Sequence, residues 1–590
     1  MNGLAFHEIV VSRASGLPHN AGMKRAHILS LILFVALGAA GCKRLFGPRT
    51  LEVKPAASAR AVVLGIGVVP SLDRSFERAG AVASQLGLPM DAKSMREKTL
   101  AGLKVPAAVL AGVDSNAPLS MVLLPPGPKP KEPVIVLAAT LKSVEAGQQI
   151  RQALGQPVAK QLDAESFKLE DGTSIWLWQK ERTLVSAERV EDIIAGAALA
   201  MESLQNGAED LKIAAFPAAI AASQGTDLKT WQAKVIKDLQ EANKANPAAD
   251  KPEMMEMGQR VLGLIFDRVS EMEEVGLTVG LDANRGGSIV FSVVPKKGTL
   301  LASLTSKGGA YKLDGAVLGA GEPFMVGASS AINAIPEMWG AFLPILAKLP
   351  KGAELAKLSE PLAQAFTGAT SMAAYAGKEG WAHAVVAGLS AKTQPATYLD
   401  QTAAIWNSPA LTGFYEAIGL GIKLTSKREG EVLLAQMKLD PKSMAPEQVA
   451  AMKAIYTEKF DMAVTARDHQ AYMTMGPGAR ERLKAMTGGA ATQPTGELAA
   501  AVKETAGAGA FIYFDLVQFV RSALSASPAG AAMTESPMFT NLRLPIWLSF
   551  RGGERASVEM RLPMTSLRSV GAVVPLIMGM GMGMGAAGGQ

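Results

Sequence analysis

Cys42 is the only cysteine in 590 residues, and its solitude limits how such a chain can hold itself together. No disulfide can close within it, and no zinc or iron–sulfur site can be built from several thiolates. Stability must come from packed apolar cores. At 48% hydrophobic and 19% charged, the chain has the composition of a folded protein and not of a disordered one. At roughly 150 residues per domain, the length allows about three or four domains. A net charge of +6, from 59 basic and 53 acidic residues, is mild. It gathers into no basic block, which argues against a nucleic-acid partner.

The surroundings of Cys42 say more. Met23-Lys24-Arg25 is a short basic start, Ala26 to Ala40 runs apolar apart from His27 and Ser30, and Gly41-Cys42 follows. A charged start, an apolar run of about 15 residues and a small-residue exit describe a secretory signal. A spanning helix needs about 20 apolar residues, so the run is short for one. Leu37-Gly38-Ala39-Ala40-Gly41-Cys42 resembles the lipobox of bacterial lipoproteins. The resemblance implies cleavage between Gly41 and Cys42 by a dedicated signal peptidase, a diacylglycerol on the Cys42 thiol and acylation of its freed amine. Two or three acyl chains, at about 0.8 kcal/mol per buried CH₂, make a stable anchor where one is marginal. Lys43 follows in place of the Asp that retains some lipoproteins in the inner membrane, which favours the outer membrane. An ordinary signal peptide with a chance cysteine is the competing reading. Residues 23–41 are then the signal peptide and 42–58 a lipidated tether, with Lys43, Arg44 and Arg49 beside the head groups. Residues 1–22 lack signal character; either Met23 is the true start or they form a cleaved extension.

Beyond the tether the pattern is mixed. Ala59–Val69 reads as a strand, Ser71 caps a helix running to Leu88, and a second helix spans Asp91–Leu103. Strands are expected at Ala107–Val113, Leu119–Leu124 and Val134–Thr140, with a helix from Ser143 to Leu154. Phe167–Trp178 reads as a hairpin turning on Asp171-Gly172. Helices follow at Arg189–Leu204, Asp227–Ala245 and Pro252–Glu273. A hairpin, Val275–Leu281 and Ser288–Val294, then turns at Gly286-Gly287. Much of this order recurs: a strand at Pro323–Ser329, helices at Met338–Leu349 and Ala353–Phe366, strands at Gly368–Gly377 and Trp381–Leu389, and a helix at Ala396–Asn407. Strands at Val432–Leu439, Asp461–Ala466 and Phe511–Leu516 precede a last hairpin from Pro545 across Gly552-Gly553 to Pro563. The expected fold class is α+β: two similar halves of antiparallel β-sheet packed with helices, 59–320 and 321–568, related by internal duplication. Two unrelated α+β domains with similar hairpins are the alternative. The arrangement loosely resembles large secreted bacterial proteins built from duplicated α+β halves, and that likeness implies nothing catalytic.

Chemistry is sparse. Past the signal there are two histidines, His383 in an alternating strand and His469 beside Asp468. Each reads as a surface or satisfied residue before a catalytic one. Gly327-Ala328-Ser329-Ser330-Ala331 approaches a nucleophile elbow but ends in Ala, so it reads as a strand end. Gly65-Ile66-Gly67 lacks the third glycine of a dinucleotide fingerprint. Glu271, Glu273 and Glu274 read as a solvated helix end. In the Gly/Met-rich tail, 569–590, Met578, Met580, Met582 and Met584 alternate with glycine; a flexible tail is the simplest reading, with Cu(I) binding and membrane insertion as alternatives. The residues therefore designate no catalytic, cofactor or metal site. The function expected is that of a non-enzymatic, lipid-anchored cell-envelope protein with a structural or protein-interaction role, touching the membrane through Cys42 and an envelope protein through its body. The alternatives are a periplasmic carrier for an apolar ligand, which needs a pocket lined by Leu, Met and Val, and a hydrolase without a recognisable motif.

Overall fold

The computed structural model describes residues 51–53, 63–87, 91–102, 111–125, 134–169, 172, 174–205, 211–223, 267–306, 309–319, 322–330, 351–377, 380–417, 421–440, 460–489, 491–525 and 542–569, with single positions in 230–263 and 343–347 and at 449. The residues read as a signal peptide, Cys42, most of the expected tether, most of the helices expected at 227–245, 252–273 and 338–349 and nearly all of the Gly/Met tail lie outside the described residues. The class is α+β, with 20 strands paired antiparallel among the described residues. Contacts divide the chain into two compact units, Met1–Ala215 and Phe216–Gln590.

Unit 1 contains β1 (Gly65–Val69), α1 (Leu72–Gln85), α2 (Ala92–Gly102), β2 (Leu119–Leu124), β3 (Val134–Thr140), α3 (Val144–Ala153), β4 (Ala159–Gln161), β5 (Ala164–Lys168), β6 (Ser174–Lys180), β7 (Thr183–Ala187), α4 (Val190–Gln205) and β8 (Leu211–Ala215). The strands pair in the order β8–β1–β2–β3–β7–β6–β5–β4. Ser71 and Ser143 cap α1 and α3 as their positions predict, each hydroxyl accepting the N–H three residues on. One face of the sheet packs Leu137, Phe167, Leu177 and Leu184 against Ala146 and Ile150 of α3. On the other, α4 lies on β2 and β3, so close that a Cβ on Gly196 would stand 2.9 Å from Val136 Cγ2. The hairpin expected across Asp171-Gly172 is present as β5–β6, Gly172 taking a φ of +82°. Of the strand expected at Ala107–Val113, residues 107–110 lie outside the described residues; 111–112 are helical, not extended, and Val113 makes an isolated bridge to Leu141. A continuous apolar run satisfies helix and strand equally, and at 111–112 the helix prevails.

Unit 2 contains α5 (Pro217–Ser223), β9 (Met272–Asp282), β10 (Gly286–Pro295), α6 (Leu300–Ser306), β11 (Pro323–Ser329), α7 (Gly352–Ala365), β12 (Phe366–Gly377), β13 (Gly380–Leu389), α8 (Pro395–Trp406), α9 (Pro409–Ala417), β14 (Ile422–Glu429), β15 (Val432–Leu439), β16 (Phe460–Arg467), β17 (Gln470–Met475), α10 (Ala479–Gly488), α11 (Gly496–Glu504), β18 (Ala510–Asp515), α12 (Leu516–Ser525), β19 (Pro545–Arg551) and β20 (Ala556–Leu562). Its strand order is β9–β10–β20–β19–β18–β11–β12–β13–β17–β16–β15–β14. The β10–β20 ladder explains why contacts group residues 216–320 with the later chain, although sequence order placed them with the earlier strands. Val326, Tyr375, Val386, Phe511, Tyr513 and Trp547 form the main core with Leu483 and Met486 of α10 and Leu498 of α11. On the opposite face α7 and α8 cover Leu433, Val464 and Ala471. Next to them α12 lies on β11, β12 and β19, with Phe519 among Phe324, Trp381 and Phe514.

Candidate functional site

The residues singled out by sequence do not converge. Gly41 and Cys42 lie outside the described residues. His383 is half-buried on β13; burial, then the Arg482 guanidinium, lowers its pKa and favours the neutral ring. His469 sits in the β16–β17 turn with φ +57°, and its carbonyl accepts the Leu389 N–H at 2.7 Å. Six residues of extended β13 separate Leu389 from His383, so the histidines stand about 20 Å apart. Ser329 pairs with Thr370 and Ala510 within the sheet, and the Ser330 hydroxyl donates to the carbonyls of Gly309 and Gly509, as a strand end would.

Gly65 and Gly67 are not loop residues. They lie mid-sheet, where a Cβ would approach Ala214 O at 2.8 Å and Met121 Cε at 3.0 Å. Two of the carboxylates at 271–274 are tied into the fold, while Glu273 is exposed. Glu271 accepts the Leu301 N–H at 2.7 Å and pairs with Arg268, while Glu274 pairs with Arg555 at 2.8 Å. Among the described residues no three His, Cys, Asp or Glu side chains gather as a metal site. Nor is any described helix long and apolar enough to cross a membrane.

What the strands of unit 2 do assemble is a surface. On β20, Val558 and Met560 alternate with Glu559 and Arg561, so one face of the strand is apolar and the other charged. Register extends the apolar face across five strands in two rows. One row runs Val279–Ile289–Met560–Leu548–Ile512, the other Leu277–Phe291–Val558–Phe550–Ala510. At about 4.8 Å per strand these rows span about 19 Å. None of the ten is buried, and Phe291 and Ile512 are 53% and 44% exposed. The reverse face carries polar groups beside the core: Arg561 pairs with Glu504 at 3.4 Å, and Arg555 reaches Ser292 at 3.2 Å. On β20 the charged side chains turn away from the apolar rows, whereas behind the same rows β18 and β19 carry the core residues Phe511, Tyr513 and Trp547, so those two strands are apolar on both faces. Leu516, at the start of α12, adds another exposed apolar side chain next to the Ile512 end.

A second concavity has different chemistry. An open cleft of about 520 Å³ beside α7, α9 and β14 is lined by Lys351, Glu354, Asn407, Thr412, Glu416 and Lys423, among others. Its mixed charges do not form the Leu, Met and Val pocket an apolar carrier needs.

No known protein family, curated protein or solved structure matches the chain.

Proposed function

We propose that this chain is a non-enzymatic, lipid-anchored protein of the bacterial cell envelope, held by the lipid on Cys42 and docking another envelope protein through the apolar rows of β18, β19, β20, β10 and β9. The partly exposed apolar rows across those strands carry the proposal. Contiguous exposed apolar surface is costly in water and is kept where a partner covers it. Ten apolar side chains in register form a broad, open sheet face, which suits a protein partner better than a small enclosed ligand. The lipobox-like residues 37–42 supply the anchor, and Lys43 after the cysteine favours the outer membrane.

The body is, on this proposal, an internal duplication. Eight strands of unit 1 run β8–β1–β2–β3–β7–β6–β5–β4, and eight of unit 2 run β18–β11–β12–β13–β17–β16–β15–β14. Helices follow corresponding strands: α3 and α8, α4 and α10, α5 and α12. Single residues recur as well. Gly67 pairs with Met121 and Ile213, and Gly327 with Met372 and Ile512. Leu141 N–H donates to Arg182 O at 2.6 Å and Leu389 N–H to His469 O at 2.7 Å; Lys142 N–H donates to Gly112 O and Ser390 N–H to Ala365 O. Two unrelated domains would share such details only by coincidence.

A photo-reactive residue placed at Phe291 or Val558 in cells is expected to give one discrete heavier species, absent when the probe stands at exposed Lys427. Equal adducts from Lys427, or none from the apolar rows, would overturn the docking role. Cys42→Ala should abolish incorporation of labelled palmitate and processing at that site; normal processing would overturn the anchor. The apolar-ligand carrier is the second reading, favoured by Met560 in the exposed rows, because thioethers adapt to varied apolar shapes. Saturable, one-to-one uptake of a fluorescent fatty acid, lost in Phe291→Asp, would favour it instead.

A further inference from the structure

In unit 1, Leu51 is far more buried than its place before the first strand suggests. It is 4% exposed, and its N–H donates to Asp163 Oδ1 at 2.8 Å. The other oxygen of Asp163 accepts the indole N–H of Trp178 at 3.1 Å, and Trp178 is itself buried. Asp163 and Leu162 form the two-residue turn between β4 and β5, where Gln161 pairs with Ala164. The chain thus leaves the folded body at the tip of this hairpin.

The hairpin has an unusual surface. Val158 and Lys160 alternate along the edge of the hairpin and project to one side, and Leu162 follows them in the turn. Val158 is 60% exposed and Leu162 46%. Leu162 also takes a φ of +55°, where glycine or asparagine is the low-energy choice. A large apolar side chain, held outward in an unfavourable conformation, calls for something to receive it. Lys160 is exposed and pairs with Glu165 at 2.8 Å, but Arg151 also pairs with Glu165 at 3.3 Å. The trio keeps one net positive charge.

We propose that the Val158–Lys160–Leu162 face of β4 rests on the surface of the anionic bilayer that carries the lipid on Cys42. The proposal depends on the lipid anchor above. Eight residues separate Cys42 from Leu51, and fully extended the span reaches about 30 Å. The Leu51 clasp therefore shortens the free tether to about half of what residues 42–58 would allow, and brings the β4–β5 turn near the head groups. Valine and leucine enter the interface while the lysine ammonium stays among lipid phosphates, and Lys43, Arg44 and Arg49 add to the same attraction.

The test uses the acylated full chain reconstituted in phosphatidylglycerol-containing vesicles, with an environment-sensitive dye on Leu162→Cys or Val158→Cys; acylation blocks the Cys42 thiol. Nitroxide-labelled lipid should quench both positions at least about fivefold more than a dye on Lys427→Cys, and Lys160→Glu should bring that quenching down toward the Lys427 level. Acylated protein that floats with the vesicles but shows no difference between the hairpin and Lys427 overturns this proposal alone. Protein that mass spectrometry shows unacylated, and that fails to float, overturns the anchor and this inference together. A protein crosslink from position 162 without lipid quenching assigns the hairpin to a protein partner and overturns the membrane assignment.

Discussion

Unit 1 and the matching part of unit 2 share a strand order but differ beyond one edge. In unit 1, β8 has β1 on one side, with Ile213 partly exposed over Gly67. In unit 2 the corresponding β18, with Ile512 over Gly327, has β19 on its other side, and β20, β10 and β9 continue the sheet. Ile213 is an isolated apolar residue; Ile512 is the end of a row. The eight strands of shared order hold buried cores, whereas the two hairpins paired beyond β18 carry most of the candidate surface. The proposed interaction therefore lies where the two units differ, not in the strand order they share.

The sharpest way to break that comparison is in the cores. Phe167 and Phe511 are fully buried, one in each unit. Phe167→Ala and Phe511→Ala should each cost about 3–5 kcal/mol. Hydrogen exchange should show the loss of protection in the mutated unit first; equal loss across both would mean the chain unfolds as one body, and the two units could not be treated separately.

The turns give a smaller contrast. Gly286, in the β9–β10 turn, has φ +87°, and a Cβ there would lie 2.1 Å from Leu562 O. Gly553, in the β19–β20 turn, has φ +139°, but its nearest neighbour would be Arg555 O at 4.0 Å. Both alanines are strained, yet only one also collides with backbone. Gly286→Ala should cost about 3 kcal/mol and Gly553→Ala about 1–2 kcal/mol in urea unfolding. Equal effects would show that the β10–β20 ladder yields without penalty.

The smallest effect is a pH dependence. By register His383 stands where unit 1 has Ile135, two residues before Val385 and Leu137. Its folded pKa is lowered from 6.5, first by burial and then by Arg482. As the pH falls through 6.5 the unfolded chain takes up this proton before the folded one does. The stability from the neutral ring is therefore complete above pH 6.5 and declines below it, toward the lower folded value. His383→Ile, copying unit 1, should flatten that decline in a stability–pH profile. An unchanged slope would place the acid sensitivity elsewhere.

Several elements were legible because turn chemistry and alternation agreed: the β5–β6 hairpin at Gly172, the Ser71 and Ser143 caps, and β9 and β10 around Gly286. The strands that escaped, apart from the eight-residue β14, are short and poorly punctuated. Lys212 interrupts β8, and β17 begins after Asp468 and His469, which both take positive φ without a glycine to mark the turn. The apolar face of β20 can be read from ASVEMRL alone. That this face meets Phe291 on one side and Phe550 on the other depends on pairing between distant segments, which no local pattern encodes. The Leu51 clasp was hidden for the same reason, since a single leucine in a Pro- and Ala-rich stretch gives no sign of its partner 112 residues away.

The β10–β20 ladder also sets an order of events. Arg555 reaches Ser292 across 263 residues of chain, so this contact has a far higher loop-closure cost than any hairpin beside it. During synthesis the β9–β10 segment emerges long before the strand it pairs with. Completion of the sheet falls to the last strands to emerge, and the apolar rows become a single surface only at that moment. A partner that recognises both Phe291 and Val558 would thus bind finished molecules and pass over incomplete ones, giving the assembly a built-in check on maturity.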